Sequence, residues 1–451
     1  MSYCDVLKCE EIVIWGAGKV LNDYFNFIDP DLNIVSVADS SSQKRGITYT
    51  SKNMKCIDPD DIKDNQAVII AIKSETTVKQ ISEQLDRRGI SYCHMFDAVR
   101  SYEEIVLNRG EKYIESEDDN DDYEPKLCKY VDCLVPIGKC NLKCQYCYIG
   151  NSRNSDEIHF YHSPKFIRKA LSKKRLGGTA LINLCSEGET LLCKDLVRIV
   201  EELINEGHYI SIVTNGTINR AINELINIQA DLKHIFIKFS FHYMEFKKLG
   251  LLDAFVENVH KIYNAGCSIS IEITPSDEMV PYINEIKEFS LKAFGAYPHI
   301  TVTRDESVKS FKILSEYSFE KYKEIWGTFE STMFDFKMNN VGIRRFENCM
   351  AGVWSLHLNL ESGDLYKCTH NPLIDNIYED LERTINLEPV MNKCCLPYCF
   401  NCHSYLALGA IPGLDTPTYY EVRDREMING NHWIRNDIKK IFEQRLYVNN
   451  N

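Results

Sequence analysis

Three cysteines near the middle of the chain, Cys140, Cys144 and Cys147, have the side-chain type and the spacing to bind one metal centre. Their C-x3-C-x2-C pattern lets three thiolates on one loop turn toward a common point. An iron–sulfur cubane normally takes four cysteine ligands. A loop that supplies three leaves one iron with an open position, which is the property that separates reactive metal sites from structural ones.

Two other interpretations of this loop follow from the residues alone. Cys133 could join the three loop cysteines in a Cys4 zinc site. A disulfide framework would require an oxidising compartment, and residues 1–11 lack the apolar core of a secretion signal. The sequence around the loop is needed to choose between them.

With Tyr146 before its last cysteine, the loop resembles the cluster loop of the radical S-adenosylmethionine (radical SAM) enzymes. The resemblance implies that Cys140, Cys144 and Cys147 are catalytic ligands of a [4Fe–4S] cluster and that Tyr146 lies beside the cofactor. In that family the open iron chelates the amino and carboxylate groups of SAM. Reductive cleavage of SAM then gives a 5′-deoxyadenosyl radical, which takes hydrogen from a substrate.

The elements that must position this loop form a repeated strand–helix pattern. The predicted strands span residues 131–136, 180–185, 209–213, 234–240, 268–273 and 299–302, with helical patterns between them. Strands that alternate with helices predict a parallel sheet with right-handed crossovers. Six repeats predict a partial (β/α)6 TIM-like barrel, which places its chemistry at the carboxyl ends of its strands. The cysteine loop follows the first of these strands.

The end of the second strand continues the resemblance. Gly188 and Glu189 match the Gly-Gly-Glu-Pro segment of the family, whereas Glu187 and Thr190 replace its first glycine and its proline. The resemblance implies that Glu189 accepts a hydrogen bond from the amino group of SAM, because a carboxylate pairs strongly with an ammonium group. The departure at Glu187 leaves the local backbone path open.

Later strand ends supply further cofactor-binding candidates. Thr214 and Asn215 begin a strand-to-turn tripeptide that is common in the family. Ser240 stands where the family often bonds the SAM ribose or carboxylate, and Thr274 is a further candidate for the SAM pocket. The resemblance therefore implies one SAM pocket built from successive strand ends.

Two more polar residues near these strand ends have open roles. His242 either faces the substrate or serves the structure. Arg304, after the sixth strand, either anchors an anionic group or forms a surface salt bridge, which would contribute little.

A second group of cysteines begins at Cys349. Gly363 follows after thirteen residues and Cys368 after four more, within a predicted hairpin of residues 354–360 and 365–367. This spacing, with a later C-x2-C pair, resembles the auxiliary-cluster domains of the SPASM and twitch subfamilies. The resemblance implies one auxiliary [4Fe–4S] cluster with four ligands: Cys349, Cys368, Cys399 and Cys402.

The ligand set of this second site has alternatives. Cys395 is the first substitute ligand, and we expect Cys394 to be a bystander. A Cys4 zinc site also fits four thiolates in a hairpin and a knuckle. With four protein thiolates an iron–sulfur cluster has no open iron, so it would take or deliver an electron.

Residues 1–105 predict a Rossmann-like domain in which strands at residues 11–15, 33–38, 67–72 and 91–95 alternate with helices. Gly16 and Gly18 follow the first strand and Asp39 ends the second, but Leu21 stands where the third glycine of a dinucleotide fingerprint belongs. A nicotinamide cofactor, a nucleotide or sugar nucleotide, and a packing or docking module stay open. The segment loosely resembles small N-terminal domains of enzymes in bacterial surface-polysaccharide assembly.

The composition of the 451 residues, with 44% hydrophobic and 26% charged, is that of a globular protein with several domains. The net charge of −13 gives no support for a nucleic-acid partner. No apolar run approaches the roughly 20 residues that span a bilayer, so we expect no membrane association and a cytoplasmic location. Eighteen cysteines, clumped rather than scattered, favour metal binding in a reducing compartment.

These patterns predict five segments: a Rossmann-like domain (residues 1–105), an acidic linker (106–126), a radical SAM core (127–345), an auxiliary iron–sulfur domain (346–410) and a helical tail (411–451). We expect an enzyme that oxidises, epimerises or rearranges its substrate and takes electrons from a flavodoxin- or ferredoxin-type donor. A nucleotide-linked sugar or surface-polysaccharide precursor is the expected substrate, and peptide or protein modification is the alternative. An iron–sulfur electron carrier, the third hypothesis, would have no use for Glu189 or Ser240.

Overall fold

A computed structural model describes residues 3–50, 52–110, 125–147, 160–305, 307–369 and 372–450. The chain forms two compact units, one of residues 1–121 with 156–167 and the other of residues 122–155 with 168–451. Of the predicted acidic linker (residues 106–126), residues 106–110 belong to a helix, and its acidic run, residues 115–124, lies outside the described residues. None of the helices in the described ranges has the length and apolar character needed to cross a bilayer.

The first unit is built on a six-stranded sheet with the order β3-β4-β2-β1-β5-β6. Its strands are β1 (Ile12–Trp15), β2 (Ile34–Ala38), β3 (Thr48–Tyr49), β4 (Met54–Ile57), β5 (Ala67–Ile70) and β6 (Tyr92–His94). Its helices are α1 (Tyr3–Val6), α2 (Lys19–Tyr24), α3 (Glu75–Arg88) and α4 (Met95–Gly110). All pairs are parallel except β3 with β4. The four predicted strands are present, and the short β3–β4 hairpin was missed.

The second unit is built on a nine-stranded sheet with the order β12-β11-β10-β9-β8-β7-β15-β16-β17. The first six strands in the chain are β7 (Leu127–Val135), β8 (Thr179–Ser186), β9 (Tyr209–Thr214), β10 (Ile235–Ser240), β11 (Ser268–Ile273) and β12 (His299–Ile300). They are all parallel and form the predicted partial (β/α)6 barrel. Near-continuous apolar runs such as the buried β10 are what a sheet covered on both faces requires.

The C-terminal strands extend the barrel sheet beyond β7. They are β15 (Ser355–Asn359), β16 (Asp364–Tyr366) and β17 (Leu373–Asn376), and a separate hairpin pairs β13 (Arg304–Asp305) with β14 (Lys312–Ile313). β15 is parallel to β7, whereas β16 and β17 continue the sheet in antiparallel pairs. The predicted cysteine hairpin is therefore part of the same sheet as the barrel.

Helices cover this sheet and close its ends. After the first barrel strand they are α5 (Pro164–Ala170), α6 (Lys173–Leu176), α7 (Leu196–Asn205), α8 (Asn219–Leu225), α9 (Tyr243–Leu249), α10 (Leu252–Asn264) and α11 (Ile283–Phe294). The later ones are α12 (Phe319–Gly327), α13 (Thr332–Met338), α14 (Cys402–Tyr405), α15 (Tyr419–Arg423), α16 (Asn436–Phe442) and α17 (Leu446–Asn449).

The tail predicted to be helical (residues 411–451) is interrupted, because non-helical residues separate α15, α16 and α17. The chain breaks after α15, where the carboxylate of Asp424 accepts a hydrogen bond from the Ile434 N–H at 2.9 Å. Gly430, at φ +79°, makes the turn between these two points. Trp433 is fully buried and its indole N–H donates to the Phe294 carbonyl at 3.1 Å, so tertiary packing decides this path.

Candidate functional site

The cluster loop, which we define as residues 136–147, leaves the carboxyl end of β7. The Leu142 N–H approaches Cys140 Sγ at 3.4 Å, and the Cys147 N–H donates to the Cys144 carbonyl at 3.2 Å. Burial raises the pKa of the Cys144 thiol to about 12, and the nearby Cys140 and Cys147 thiolates add to the rise. A cationic metal centre would reverse both effects, because coordination deprotonates a thiol.

Gly188 allows the loop after β8 to approach the backbone of the cluster loop. The Gly188 N–H donates to the Ile137 carbonyl at 2.7 Å, and the Glu189 N–H donates to the Lys139 carbonyl at 2.9 Å. A Cβ atom on Gly188 would lie 2.0 Å from the carbonyl oxygen of Lys139. The glycine of the predicted motif therefore has a packing reason at this position.

Glu189 is buried and joins two strand ends. Its carboxylate accepts hydrogen bonds from the Thr214 hydroxyl at 2.5 Å, the Asn215 N–H at 2.7 Å and the Leu191 N–H at 2.9 Å. Burial raises the pKa of Glu189, against these hydrogen bonds, which favour the charged form. Because a carboxylate offers about four acceptor positions, about one remains for a ligand. The structure thus brings together three of the predicted cofactor-binding residues.

Asn141 connects the cluster loop to the loop after β9. Its side-chain carbonyl accepts from the Asn215 amide at 2.8 Å, and its own amide donates to the Thr217 hydroxyl at 2.8 Å. The Thr217 hydroxyl in turn donates to the Asn215 carbonyl oxygen at 2.6 Å. Sequence reasoning missed Asn141 and Thr217, although an amide placed directly after the first loop cysteine was a readable signal.

Tyr146 and His242 form a pair at the other side of the cluster loop. The Tyr146 hydroxyl and His242 Nδ1 are 2.7 Å apart. Burial, followed by the Cys144 thiolate, raises the pKa of Tyr146 well above its ordinary value. Ser240 ends β10 two residues before His242 and is half-buried, and Thr274 directly follows β11. His242 therefore contacts the cluster loop.

A cavity of about 610 Å³ with both polar and apolar lining lies within the second unit, lined by barrel strands and by residues near α13 and α14. Ser186 and Glu187, at the end of β8, and Thr274, directly after β11, line this cavity. The volume lies within the range of roughly 300–1,000 Å³ that small-molecule sites occupy.

Three polar residues in the middle of apolar strands form a row along this cavity. The Asn183 amide donates to Asp132 at 2.7 Å, and the Lys238 ammonium donates to the Asn183 carbonyl oxygen at 2.6 Å. Asp132 and Asn183 are register partners on β7 and β8. Sequence reasoning missed this row, although a single polar residue that interrupts each buried strand was its signal.

Lys337 of α13 also lines the cavity. Its ammonium group lies 3.4 Å from the Phe400 carbonyl and 3.3 Å from His403 Nδ1. Burial lowers the pKa of Lys337 to about 7; the Cys402 thiolate opposes this decrease, and the nearby Arg304 and Arg423 add to it. Arg304, one of the residues with an open role, lies 4.4 Å from the centre of the Phe400 ring.

A second, smaller cavity of about 40 Å³ lies among the C-terminal cysteines, and four of them line it: Cys349, Cys368, Cys394 and Cys399. Its other walls are mainly apolar, among them Leu396, Leu406 and Ile411. The glycine of the predicted cysteine hairpin, Gly363, is also required by the backbone conformation and by close packing. Gly363 adopts φ +76° in the turn before β16, where a Cβ atom would lie 2.5 Å from the Tyr378 ring.

The remaining cysteines of this group differ in exposure. Cys402 begins α14 and is buried, which raises the pKa of its thiol to about 11. Burial raises the pKa of Cys399 well above its ordinary value, and the Cys402 thiolate adds the largest electrostatic contribution. Cys395, the predicted substitute ligand, is exposed, whereas Cys394, the predicted bystander, lines the cavity.

Comparison with known proteins identifies the barrel. The sequence profile described as Radical SAM superfamily matches residues 134–277, which include the cluster loop and the ends of β8, β9 and β10. This chain contains a radical SAM domain. The profile described as C2185-like, N-terminal matches residues 8–96. A comparison with curated proteins gives no match.

Solved structures similar to this chain include Streptococcus suis SuiB bound to S-adenosylmethionine, with TM-score 0.41, 14% identity and coverage of 68% of this chain and 75% of that one. A second is native anSMEcpe with bound AdoMet, with TM-score 0.40, 13% identity and coverage of 56% and 79%. A third is BtrN in complex with AdoMet and 2-DOIA, with TM-score 0.32, 16% identity and coverage of 57% and 81%.

The cysteines of both groups suit iron–sulfur clusters, which are the cofactors, together with SAM, that radical SAM enzymes use. In the described ranges, no three His, Cys, Asp or Glu side chains converge as ligands of a single ion would. A cubane distributes its four thiolates over four irons and does not need them to meet at one atom. Cys133, the fourth ligand of the alternative zinc site, is buried within β7. It is not among the groups that shift the pKa of the Cys144 thiol, which are the other loop cysteines, Tyr146 and Glu245.

In the first unit the structure places Asp39 against the glycine turn. Its carboxylate accepts from the Ala17 N–H, the Ser41 N–H and the Lys44 ammonium, each at 2.9 Å. These hydrogen bonds lower its pKa although burial opposes them. Gly16 adopts φ +127°, and a Cβ atom there would lie 2.5 Å from the Ala71 carbonyl. The acid predicted to meet a ribose is thus hydrogen-bonded within its own domain, and nucleotide binding stays a prediction.

Proposed function

We propose that this radical SAM enzyme abstracts hydrogen from a polar small molecule bound in the barrel cavity. The observation that carries the proposal is the position of the cluster loop. Hydrogen bonds on both sides of Cys140, at Ile137, Lys139 and Asn141, join the loop to the segments after β8 and β9, and residues of the β8 end also line the 610 Å³ cavity. A reactive centre at the strand ends and a substrate space in the barrel are therefore neighbours.

Cys140, Cys144 and Cys147 would hold the SAM-binding cluster, which together with SAM supplies a hydrogen-abstracting radical when bound. Glu189 retains about one free acceptor position, which suits the ammonium group of SAM. Ser240 and Thr274, at the next strand ends, would offer hydroxyl groups to the same cofactor. The residues of α13 and α14 that line the cavity would help to keep water from the reacting atoms.

A second cluster would be held by the C-terminal cysteines. The thiols of Cys349, Cys368 and Cys399 surround an apolar cavity, with Cys402 and Cys394 next to Cys399. An enclosure with enough thiols to occupy all four irons suits electron transfer rather than substrate binding. The cluster would then either take an electron from the substrate radical, which gives a net dehydrogenation, or return one, which gives an epimerisation. The primary electron would come from a flavodoxin- or ferredoxin-type donor.

A nucleotide-linked sugar or a related polysaccharide precursor is the substrate class we favour. The row of Asp132, Asn183 and Lys238 presents hydrogen-bonding groups suited to hydroxyl groups. The alternative, a peptide or protein substrate, would need a part of its chain to enter the same cavity. Glycosyltransferase genes beside the coding gene would favour the sugar, and a short peptide gene would favour the alternative.

The direct test uses anaerobically reconstituted wild-type protein with SAM and dithionite. We expect about eight irons per chain, from two cubanes of four, and release of 5′-deoxyadenosine. Four irons with deoxyadenosine release would remove the second cluster from the proposal. A colourless protein loaded with zinc and inactive toward SAM would contradict the proposed function as a whole.

A further inference from the structure

The barrel cavity and the cavity among the C-terminal cysteines share part of their lining. Thr369, Phe400 and Asn401 line both the 610 Å³ cavity and the 40 Å³ cavity, which we call the thiol cavity. Phe400 and Asn401 are the two residues between Cys399 and Cys402. This C-x2-C pair therefore borders the space that the proposed function assigns to the substrate.

Lys337 of α13 lines the barrel cavity and also contacts the C-x2-C pair. Its ammonium group donates to the Phe400 carbonyl at 3.4 Å and lies 3.3 Å from Nδ1 of His403. The residue is only 5% exposed. Because Phe400 precedes Cys402 and His403 directly follows it, these two contacts hold the ammonium group beside this cysteine.

The thiolate of Cys402 is the charged group that acts most strongly on Lys337. Burial lowers the pKa of Lys337, and this thiolate makes the largest electrostatic contribution in the opposite direction. The relation is mutual, because burial raises the pKa of the Cys402 thiol and Lys337 is the charged group that opposes this rise most. The Glu272 carboxylate, which attracts Lys337 less, forms an ion pair with Arg423. The main electrostatic partner of the lysine is therefore a member of the cysteine group.

A positive charge beside an iron–sulfur cluster favours its reduced form, because reduction adds one negative charge to the cluster. Net charge, hydrogen bonds to the sulfurs and exposure to solvent are the means by which a protein sets the reduction potential. The walls of the thiol cavity are mainly apolar, so a charge next to it is weakly screened. A buried ammonium group at Cys402 therefore suits the control of this potential.

We propose that Lys337, through its position beside Cys402, raises the reduction potential of the auxiliary cluster. The inference rests on the proposed function, since it takes the C-terminal cysteines to hold an iron–sulfur cluster. Of the two directions of electron transfer given above, a higher potential favours the one in which the cluster accepts the electron. In that direction the substrate radical gives one electron to the cluster and one proton to water, and the carrier protein that supplied the first electron takes this one back.

The test measures the reduction potential of the auxiliary cluster in anaerobically reconstituted holoprotein, by a redox titration followed by electron paramagnetic resonance. The auxiliary signal is identified as the one that Cys399→Ala removes. Lys337→Met and Lys337→Gln remove the positive charge, whereas Lys337→Arg keeps it. The control is Lys129→Met, because Lys129 is a lysine of similar burial (6% exposed) on β7 that is not among the described residues lining either cavity.

We expect Lys337→Met to lower the ratio of reduced to oxidised auxiliary cluster about tenfold or more at a fixed potential, which is a decrease of about 59 mV or more for a one-electron couple. Lys337→Arg should keep most of the wild-type potential and Lys129→Met all of it. An unchanged potential in the neutral variants, or an equal decrease in Lys337→Arg or Lys129→Met, would overturn the inference. If Lys337→Met does not assemble the cluster, Lys337→Gln decides, and failure of both would show that the lysine serves assembly and would also overturn it.

The same preparations are assayed for 5′-deoxyadenosine with SAM and dithionite, which keeps the two proposals separable. Release of 5′-deoxyadenosine together with one auxiliary potential in all variants would leave the proposed function standing and overturn the inference. A potential that follows the charge at position 337, in a protein that does not cleave SAM, would support the inference and contradict the proposed function.

Discussion

Hydrogen bonds hold the cysteines of the cluster loop, whereas apolar side chains enclose the cysteines between Cys349 and Cys402. Asn141 and the hydrogen bond from the Glu189 N–H to the Lys139 carbonyl tie the first group to two strand ends. The second group lines a cavity whose walls are mainly apolar.

The difference indicates two kinds of metal chemistry in one chain. A loop with three thiols and polar neighbours leaves space and hydrogen-bonding groups for a ligand on the fourth iron. An enclosure with five nearby thiols and apolar walls leaves neither space nor hydrogen-bonding groups for such a ligand. Its low polarity would instead tune the reduction potential of an electron-transfer cluster. Five experiments can break or sharpen this comparison.

The largest effect is expected from Cys144→Ala. Removing one of three protein ligands leaves the SAM-binding cluster with two, so release of 5′-deoxyadenosine should fall to background in an anaerobic assay with dithionite. Cys128→Ala is the control, since Cys128 lies on β7 outside the cluster loop and is half-buried like the loop cysteines. Normal release from Cys144→Ala would end the assignment of this loop.

Cys399→Ala should separate the two groups. We expect iron to fall from about eight to about four per chain, with SAM cleavage retained and product formation lost, because only the electron-transfer cluster is removed. Iron analysis and deoxyadenosine assay together measure this. Cys395→Ala is the matched control, since Cys395 is exposed, and it should keep both clusters.

Cys394→Ala tests which thiols complete the second group. Because Cys394 lines the cavity, its removal should change the electron paramagnetic resonance spectrum of the reduced auxiliary cluster. We expect a smaller loss of iron than in Cys399→Ala, since other thiols can take its place. A spectrum identical to that of Cys395→Ala would make Cys394 a bystander after all.

Gly188→Ala tests the backbone contact beneath the cluster loop. A Cβ atom placed 2.0 Å from the Lys139 carbonyl oxygen must displace one of the two loops. We expect a loss of about 1–3 kcal/mol in the free energy of unfolding and weaker SAM binding. Gly327→Ala in α12 meets nothing within 4 Å and should leave both unchanged. Equal stability of the two variants would remove the packing argument.

The smallest effect is expected from Tyr146→Phe. It removes the hydrogen bond to His242, which contributes about 1 kcal/mol, so SAM affinity should fall by a few-fold. A double-mutant cycle with His242→Phe isolates the pair, because the second change should cost little once the first is made. Additive losses would show that the two residues act independently.

Several elements were predictable because their signals are local. The strand of residues 268–273 was predicted at its observed bounds, since Ser268–Ile273 is an apolar run between a helix and a turn. Gly188 and Gly363 were predicted from motif spacing, and both meet backbone or ring atoms that exclude a side chain. The prediction of a helical tail was wrong between α15 and α16. Helical periodicity in the sequence cannot reveal the Asp424 and Trp433 contacts that interrupt the helix there.

By itself the sequence indicated the class of chemistry, because Cys140, Cys144 and Cys147 share one short loop and the Gly188–Glu189 motif follows at the next predicted strand end. The tertiary structure alone decided which distant residues meet: Asn141 with Asn215, Tyr146 with His242, and Lys337 with Phe400. It also placed Cys394 in the cavity and Cys395 at the surface, although the two are neighbours in the chain. Such choices depend on packing between elements far apart in sequence, which no local pattern records.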